Sequence, residues 1–427
     1  MARRCVGLVR PGLDGRMILN AVVFGFGSHE AAWRLPGMSP TAPLELSHWI
    51  DCARQAEDAG FDGLFLGDIL CLQDRPQDHP SEALDPFMVL AAVSGVTRRL
   101  KLIGTASTSF NHPWHLARRI LSLQHLTEGR AGWNIVTSSY PQEAANFGWP
   151  DMPGTEDRYA LAEEVVQAVR ALWSGWDGVA RIANQTSGHW LDTPPPLVEA
   201  EGRFGTIRGN VNLSPEPWGL PLLAQAGSSA RGLEFAARHA DQIFTVQSDM
   251  DEAVAFRTRA RSLVAQAGRD PDSVAILPGV VPFVADTEEE AEAALASLTR
   301  HVSLAHAIPK LERFLGLSLS DLDLDAAVPF TPADLSDNRF SNSRAGILLM
   351  EANRNDLTLR QMLARFAAGR GHLLLVGTGD HIARTMRQWI AAGAADGFNV
   401  MPPVLPSGIG AVGEVLELVR APDRTRR

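Results

Sequence analysis

Short apolar runs alternate along the chain with longer stretches whose apolar residues recur at helical spacing. Eight runs of strand length stand at 18–24, 63–66, 101–106, 131–136, 222–226, 242–246, 274–284 and 397–401. Each is nearly continuous in apolar or small residues. That pattern predicts strands buried on both faces, as in a parallel sheet, rather than a sheet with one wet face. Helices are predicted over 44–59, 86–97, 113–127, 157–173, 229–240, 250–268, 287–300 and 380–392. Pro43, Pro86 and Pro113 fall near first turns, where the missing amide costs least. Thr287-Glu288-Glu289-Glu290 opens its helix with the carboxylates that the helix dipole favours. Gly60 closes the first helix.

This alternation predicts the α/β class and a (β/α)8 TIM barrel with long insertions, as a single domain over residues 1–427; a doubly wound sheet is the rival. The loop after the first strand, Phe24-Gly25-Phe26-Gly27-Ser28-His29-Glu30, has glycines but not the G-x-G-x-x-G spacing of a dinucleotide fold. Three stretches exceed the repeat. Residues 138–156 and 174–220 are rich in Pro, Gly and Trp, and 301–370 is mostly helical in pattern. Barrel enzymes place their sites on such strand-to-helix insertions. The stretch 301–370 reads either as a lid, with its polar run 336–344 ordering over bound ligand, or as a subunit contact.

Charge removes one class of partner. The formal net charge is −10, from 39 basic and 49 acidic residues, so no basic surplus exists for nucleic acid. Cys5, Cys52 and Cys71 share no metal-like spacing and form no disulfide framework, which suits a reducing cytoplasm. No apolar stretch reaches the ~18 residues of a membrane span, and the N-terminus lacks a signal-peptide core. A cytoplasmic protein without membrane partners is the expectation.

Candidate chemistry gathers where the strands end. Asp68 follows the second strand, Thr105 closes the third, and Asn134-Ile135-Val136-Thr137-Ser138-Ser139 closes the fourth. Gly227-Ser228-Ser229 follows the fifth and opens a helix. Free amides and the helix dipole at such a start favour a phosphate; simple N-capping by serine is the other reading. His29, His112 and His115 show no metal-ligand spacing, so no metal is expected. There is no Gly-x-Ser-x-Gly elbow and no strand-end pair of carboxylates. A polar, phosphate-ready barrel mouth without an acid–base pair implies that a cofactor carries the chemistry.

The chain resembles the bacterial luciferase-like flavin monooxygenases. Within them it is similar to the branch of nitrilotriacetate monooxygenase component A, dibenzothiophene-sulfone monooxygenase and long-chain alkane monooxygenase. The residues that carry this are Leu19-Asn20-Ala21, Gly27-Ser28-His29-Glu30-Ala31-Ala32-Trp33-Arg34 and Phe61-Asp62-Gly63-Leu64-Phe65-Leu66-Gly67-Asp68. His112-Pro113-Trp114-His115-Leu116-Ala117-Arg118-Arg119 and Gly129-Arg130-Ala131-Gly132-Trp133-Asn134-Ile135-Val136-Thr137-Ser138 continue it. Arg158-Tyr159, Gln225-Ala226-Gly227-Ser228-Ser229 and Asp396-Gly397-Phe398-Asn399-Val400 complete the set, over roughly 17–417.

The resemblance implies a barrel that binds reduced FMN supplied by a separate NAD(P)H-dependent flavin reductase. With O2 as co-substrate, it would insert one oxygen atom into a small organic molecule. Asp68, Thr105, Asn134, Thr137 and Ser139 would lie by the isoalloxazine. Tyr159, Ser228 and Ser229 would hold the phosphate, and His29 would face substrate. A homodimer or homotetramer is implied as well. The alternatives are a deazaflavin-dependent oxidoreductase of the same superfamily and a flavin-binding relative that has lost catalysis. The chain departs from the family pattern at several places: Thr155 and Ser139 stand where relatives often have histidine, Trp114 where they have tyrosine, and the stretch after Leu416-Glu417-Leu418 differs from the family's usual ending.

Overall fold

The strands close on themselves. In the computed structural model, which describes residues 16–73, 76–227, 229–335 and 342–421, the barrel is built from eight strands. They are β1 (Ile18–Val23), β2 (Gly63–Leu66), β3 (Lys101–Ser107), β4 (Ala131–Val136), β5 (Leu222–Ala226), β6 (Gln242–Thr245), β7 (Ala275–Ala285) and β8 (Gly397–Val400). Their order is β6-β5-β4-β3-β2-β1-β8-β7, and β6 pairs back to β7. These pairings are all parallel. All eight predicted strands are present, and the doubly wound alternative is excluded by closure.

Two details show why these residues suit a closed barrel. Gly397 lies against Ile18, and a Cβ there would come within 1.9 Å of the Ile18 carbonyl oxygen. Inside, the amide of Asn20 donates to Gln242 Oε1 at 3.0 Å and to Asn399 Oδ1 at 2.9 Å. This buried polar layer ties together β1, β6 and β8, and its donors are satisfied, as burial requires.

Helices α1 (Leu46–Asp58), α2 (Pro86–Val93), α3 (Pro113–Leu126), α4 (Thr155–Ser174), α5 (Ala230–His239), α6 (Met250–Gln266) and α7 (Glu288–Thr299) cover the outside. The predicted starts hold. Asp85 caps α2 by accepting from the Phe87 and Met88 amides, and Thr287 and Glu290 form a capping box on α7.

The insertions carry elements of their own: helices over 301–370, as its pattern predicts, and strands in 174–220, which no pattern predicts. Residues 174–220 hold two antiparallel hairpins, Arg181–Asn184 with His189–Leu191 and Val198–Gly202 with Gly205–Gly209. The 301–370 stretch contains α8 (Leu304–Leu315), α9 (Asn342–Arg354) and α10 (Leu359–Gly369). Leu311, Leu315, Leu348, Leu349, Met362 and Phe366 form a core of its own. Most of this stretch is therefore packed structure rather than a loose cover, and residues 336–341 of the polar run lie outside the described residues. A ninth strand, Leu373–Thr378, pairs with the upper half of β7 and stands outside the closed barrel. Helices α11 (Gly379–Ala391) and α12 (Ser407–Arg420) complete the chain. Among the described residues, no helix is long and apolar enough to cross a membrane, and no cluster of metal-ligating side chains occurs.

Candidate active site at the barrel mouth

The C-terminal ends of β2, β3 and β4 are neighbours and bring three predicted residues to one rim. Thr105 and Asn134 are opposite each other in the β3–β4 register. The Thr105 hydroxyl donates to the Leu66 carbonyl at 2.8 Å, so it receives the Asn134 amide as an acceptor, at 2.9 Å. That orients Asn134: one N–H of its amide is used, and its buried Oδ1 has no hydrogen-bond partner among the described residues. A buried acceptor left open in this way is costly unless a donor reaches it.

Beyond β4 the chain turns at Ser138, a non-glycine held at φ +54°. Glu143, which the sequence reading missed, holds this turn. Its carboxylate accepts from the Ser138 hydroxyl at 3.2 Å and from the amides of Ser139 and Tyr140 at 3.1 Å, and it also accepts from the Leu70 amide at 3.1 Å. The loops after β2 and β4 are thereby locked together. The Thr137 carbonyl accepts from the Ser109 hydroxyl at 2.8 Å, which ties in the loop after β3.

Asp68 sits in this acidic corner. Burial, then the charges of Asp85 and Glu143, push its carboxyl up from 3.8 to about 6, against the pull of the Ile69 amide and Arg119. A raised carboxyl pKa means that the ionised form is the destabilised one. The cost is absent where the group is protonated in folded and unfolded chains alike. It grows between 3.8 and about 6 and is complete above. That span corresponds to about 3 kcal/mol, which partial exposure reduces to about 1–2 kcal/mol. Asp68→Asn is therefore expected to stabilise the free protein by about 1–2 kcal/mol near pH 8, with the gain fading toward pH 4. Urea unfolding at both pH values checks this; an equal gain at both would show that charge is not the cause.

The residues expected to hold a phosphate gather around β5, next to β4 in the sheet. Ser229 caps α5, its Oγ accepting from the Gly232 amide at 3.1 Å. The capping reading is thus realised, and it leaves the first amides of α5 pointing out of the helix end. Tyr159, buried on α4, shares a hydrogen bond with Ser229, and Gln225 donates to its hydroxyl at 3.4 Å. A Cβ at Gly232 would lie 2.6 Å from the Tyr159 hydroxyl and 3.0 Å from Ser229 Oγ. The glycine keeps that hydroxyl pair accessible to the helix end. Gln225 Oε1 is buried without a partner among the described residues. Ser228 lies outside the described residues. Thr155, one of the departures, receives the Arg158 guanidinium at 3.4 Å.

His29 stands elsewhere on the mouth. It is buried, with its ring edge-on to Phe283 at 6.3 Å. The Ala31 amide donates to its Nδ1 at 3.1 Å, so the neutral ring carries its proton on Nε2, which has no partner among the described residues. Burial lowers its pKa to about 4 despite Glu30, so the ring is neutral at pH 7. No contact joins His29 to Asp68, Thr105 or Asn134. Its neighbour Glu30 instead pairs with Lys310 of α8 at 2.8 Å. A side cleft of about 430 Å³ opens between the loop after β3, α4 and the second hairpin, where the Phe110 and Phe147 rings stack at 4.5 Å.

Comparison with known proteins agrees with this architecture. The family model for luciferase-like monooxygenases matches residues 28–396. N-acetyl-S-(2-succino)cysteine monooxygenase of Bacillus subtilis is 37% identical over 393 residues, 92% of this chain and 89% of the relative. Nitrilotriacetate monooxygenase component A of Aminobacter aminovorans is 36% identical, covering 93% and 90%. The solved structure of a riboflavin lyase with modified FMN and riboflavin superposes with a TM-score of 0.82, at 28% identity, over 95% of this chain and 91% of that one.

Proposed function

We propose, for a chain that belongs to the luciferase-like monooxygenase family, that it is the oxygenating component of a two-component system. It takes reduced FMN from a separate NAD(P)H-dependent flavin reductase and oxygenates a small organic molecule. Held at the barrel mouth, reduced FMN would supply the two electrons that the reduction of O2 requires. One oxygen atom would enter the substrate and the other would leave as water, with FMN returned in its oxidised form.

The observation that carries this reading is the unpaired Asn134 Oδ1, fixed by Thr105, one strand away from the Tyr159–Ser229 helix end. An isoalloxazine offers an N–H donor to such an acceptor, and its ribityl phosphate suits free amides at a helix start. Thr137 and Ser139, which follow β4, would lie beside the ring. Asp68, with its carboxyl near neutrality, holds or gives up a proton beside the ring. Asp68→Ala is expected to fold and to bind reduced FMN about tenfold more weakly. His29 presents one Nε2–H to substrate.

The chain shows no nicotinamide-binding fingerprint, so hydride must reach the flavin on another protein. The purified chain with FMN is expected to oxidise no NAD(P)H. With a generic flavin reductase and a substrate panel, it should consume oxygen and yield products one oxygen atom heavier by mass spectrometry. Vigorous NAD(P)H oxidation without reductase would overturn the reading. Substrate turnover with a reduced deazaflavin and no oxygen uptake would favour hydride-transfer chemistry instead.

A further inference from the structure

The barrel mouth is electrically divided. Its β2–β4 side carries Asp68, Asp85 and Glu143. Across the barrel, over β6 and β7, the insertion brings in Lys310 from α8 and Arg370 from the end of α10. Glu30 is the carboxylate that meets them. Its Oε2 is 2.8 Å from Lys310 Nζ, and its Oε1 is 3.1 Å from His306 Nε2. The charge of Arg370 also acts on Glu30, so one carboxylate answers two cations, Lys310 and Arg370.

Arg370 is the cation in excess. It occupies the left-handed position that ends α10, at φ +50°. Its Nε is buried and has no hydrogen-bond partner among the described residues. Beside it, His372 packs its ring on Phe244 of β6 at 5.4 Å and has a buried, unbonded Nδ1. β7 makes room for that ring: a Cβ at Gly279 would lie 2.2 Å from His372 Nδ1. Burial and the nearby arginines lower His372 to about 3, so it is a neutral ring able to donate one N–H. Burial, then Arg370, lowers Lys310 to about 8 despite Glu30, the response of an ammonium short of negative charge. Buried cations of this kind are stable when paired with an anion.

We propose that Arg370, with His372 and Lys310, binds a carboxylate of the substrate, and that the substrate is therefore an organic acid. The planar guanidinium fork matches a carboxylate in a way a point charge does not. The flavin phosphate has its own helix end at β5, two strands of the mouth away from β7. The assignment to substrate rests on the flavin monooxygenase reading above.

The test uses the full chain, with and without FMN, titrated calorimetrically at fixed ionic strength. The probes are acetate, malonate, succinate, glutarate and benzoate, each beside its amide. At least one acid should bind, and its amide should bind at least tenfold more weakly. Arg370→Met should weaken that acid at least tenfold while FMN affinity stays within twofold; Arg370→Lys, which keeps the charge, should fall between. The proposal is overturned if no acid binds, if amides bind as well as acids, or if Arg370→Met weakens FMN instead. Failure of the wild type to bind FMN would tell against the flavin reading alone, because acid binding is measured on the flavin-free chain as well.

Discussion

Reduced FMN is expected to bind a hundred- to ten-thousandfold more tightly than reduced riboflavin. The two molecules differ only in the phosphate, so the comparison isolates the helix end at Ser229. There the α5 amides and the Tyr159 hydroxyl converge, with Gly232 leaving the hydroxyls uncovered. Two charge-assisted hydrogen bonds of roughly 1.5–3 kcal/mol each amount to about 3–6 kcal/mol, which is about two to four decades in affinity. Burial pushes the Tyr159 phenol above its ordinary value, so it stays protonated and donates. Tyr159→Phe should therefore cost about tenfold for FMN and nothing for riboflavin. Anaerobic titration of wild type and variant with both flavins gives the four constants. Equal affinity of wild type for the two flavins would remove the phosphate site. An equal loss for both in the variant would make Tyr159 a packing residue.

The barrel was legible because its strands are buried on both faces, which turns each into a short, nearly unbroken apolar run. The helix starts were legible from their prolines and acidic first turns. Two kinds of element escaped. The hairpins of 174–220 are exposed, with Arg181–Asn184 open along its whole length, so no apolar run announces them. Leu373–Thr378 has strand length, but its alternating burial and its place beside upper β7 depend on an insertion folding over the barrel. At the site, Thr105, Asn134, Tyr159 and Ser229 could be singled out as candidates because each stands on or beside a strand or helix end within a familiar motif. Glu143 and Arg370 could not. Each acts on partners far away in the sequence: Glu143 reaches back to Leu70, and Arg370 is set by the end of a helix in an insertion. The division of the mouth into an acidic and a basic side exists only after closure.

Glu30→Gln is expected to destabilise the protein by about 3–5 kcal/mol, the cost of leaving a buried cation without its partner. Burial by itself raises the Glu30 carboxyl. The His306 ring, Lys310 and Arg370 together outweigh burial and hold it well below the usual carboxylate range. A depressed carboxyl pKa makes the sign clear: the stabilisation is fully present above the unfolded value of 4.5 and is lost as pH falls through the lower folded value. Wild type and Glu30→Gln should therefore differ most near neutral pH and converge in strong acid. The second half of the test separates charge from shape. In the Glu30→Gln background, Lys310→Met removes the stranded ammonium and should recover more than half of the loss, whereas in wild type the same change should destabilise. Denaturant unfolding of the four proteins forms the cycle. A loss below about 1 kcal/mol for Glu30→Gln, or no recovery in the double variant, would show that Glu30 and Lys310 do not hold α8 to the loop after β1.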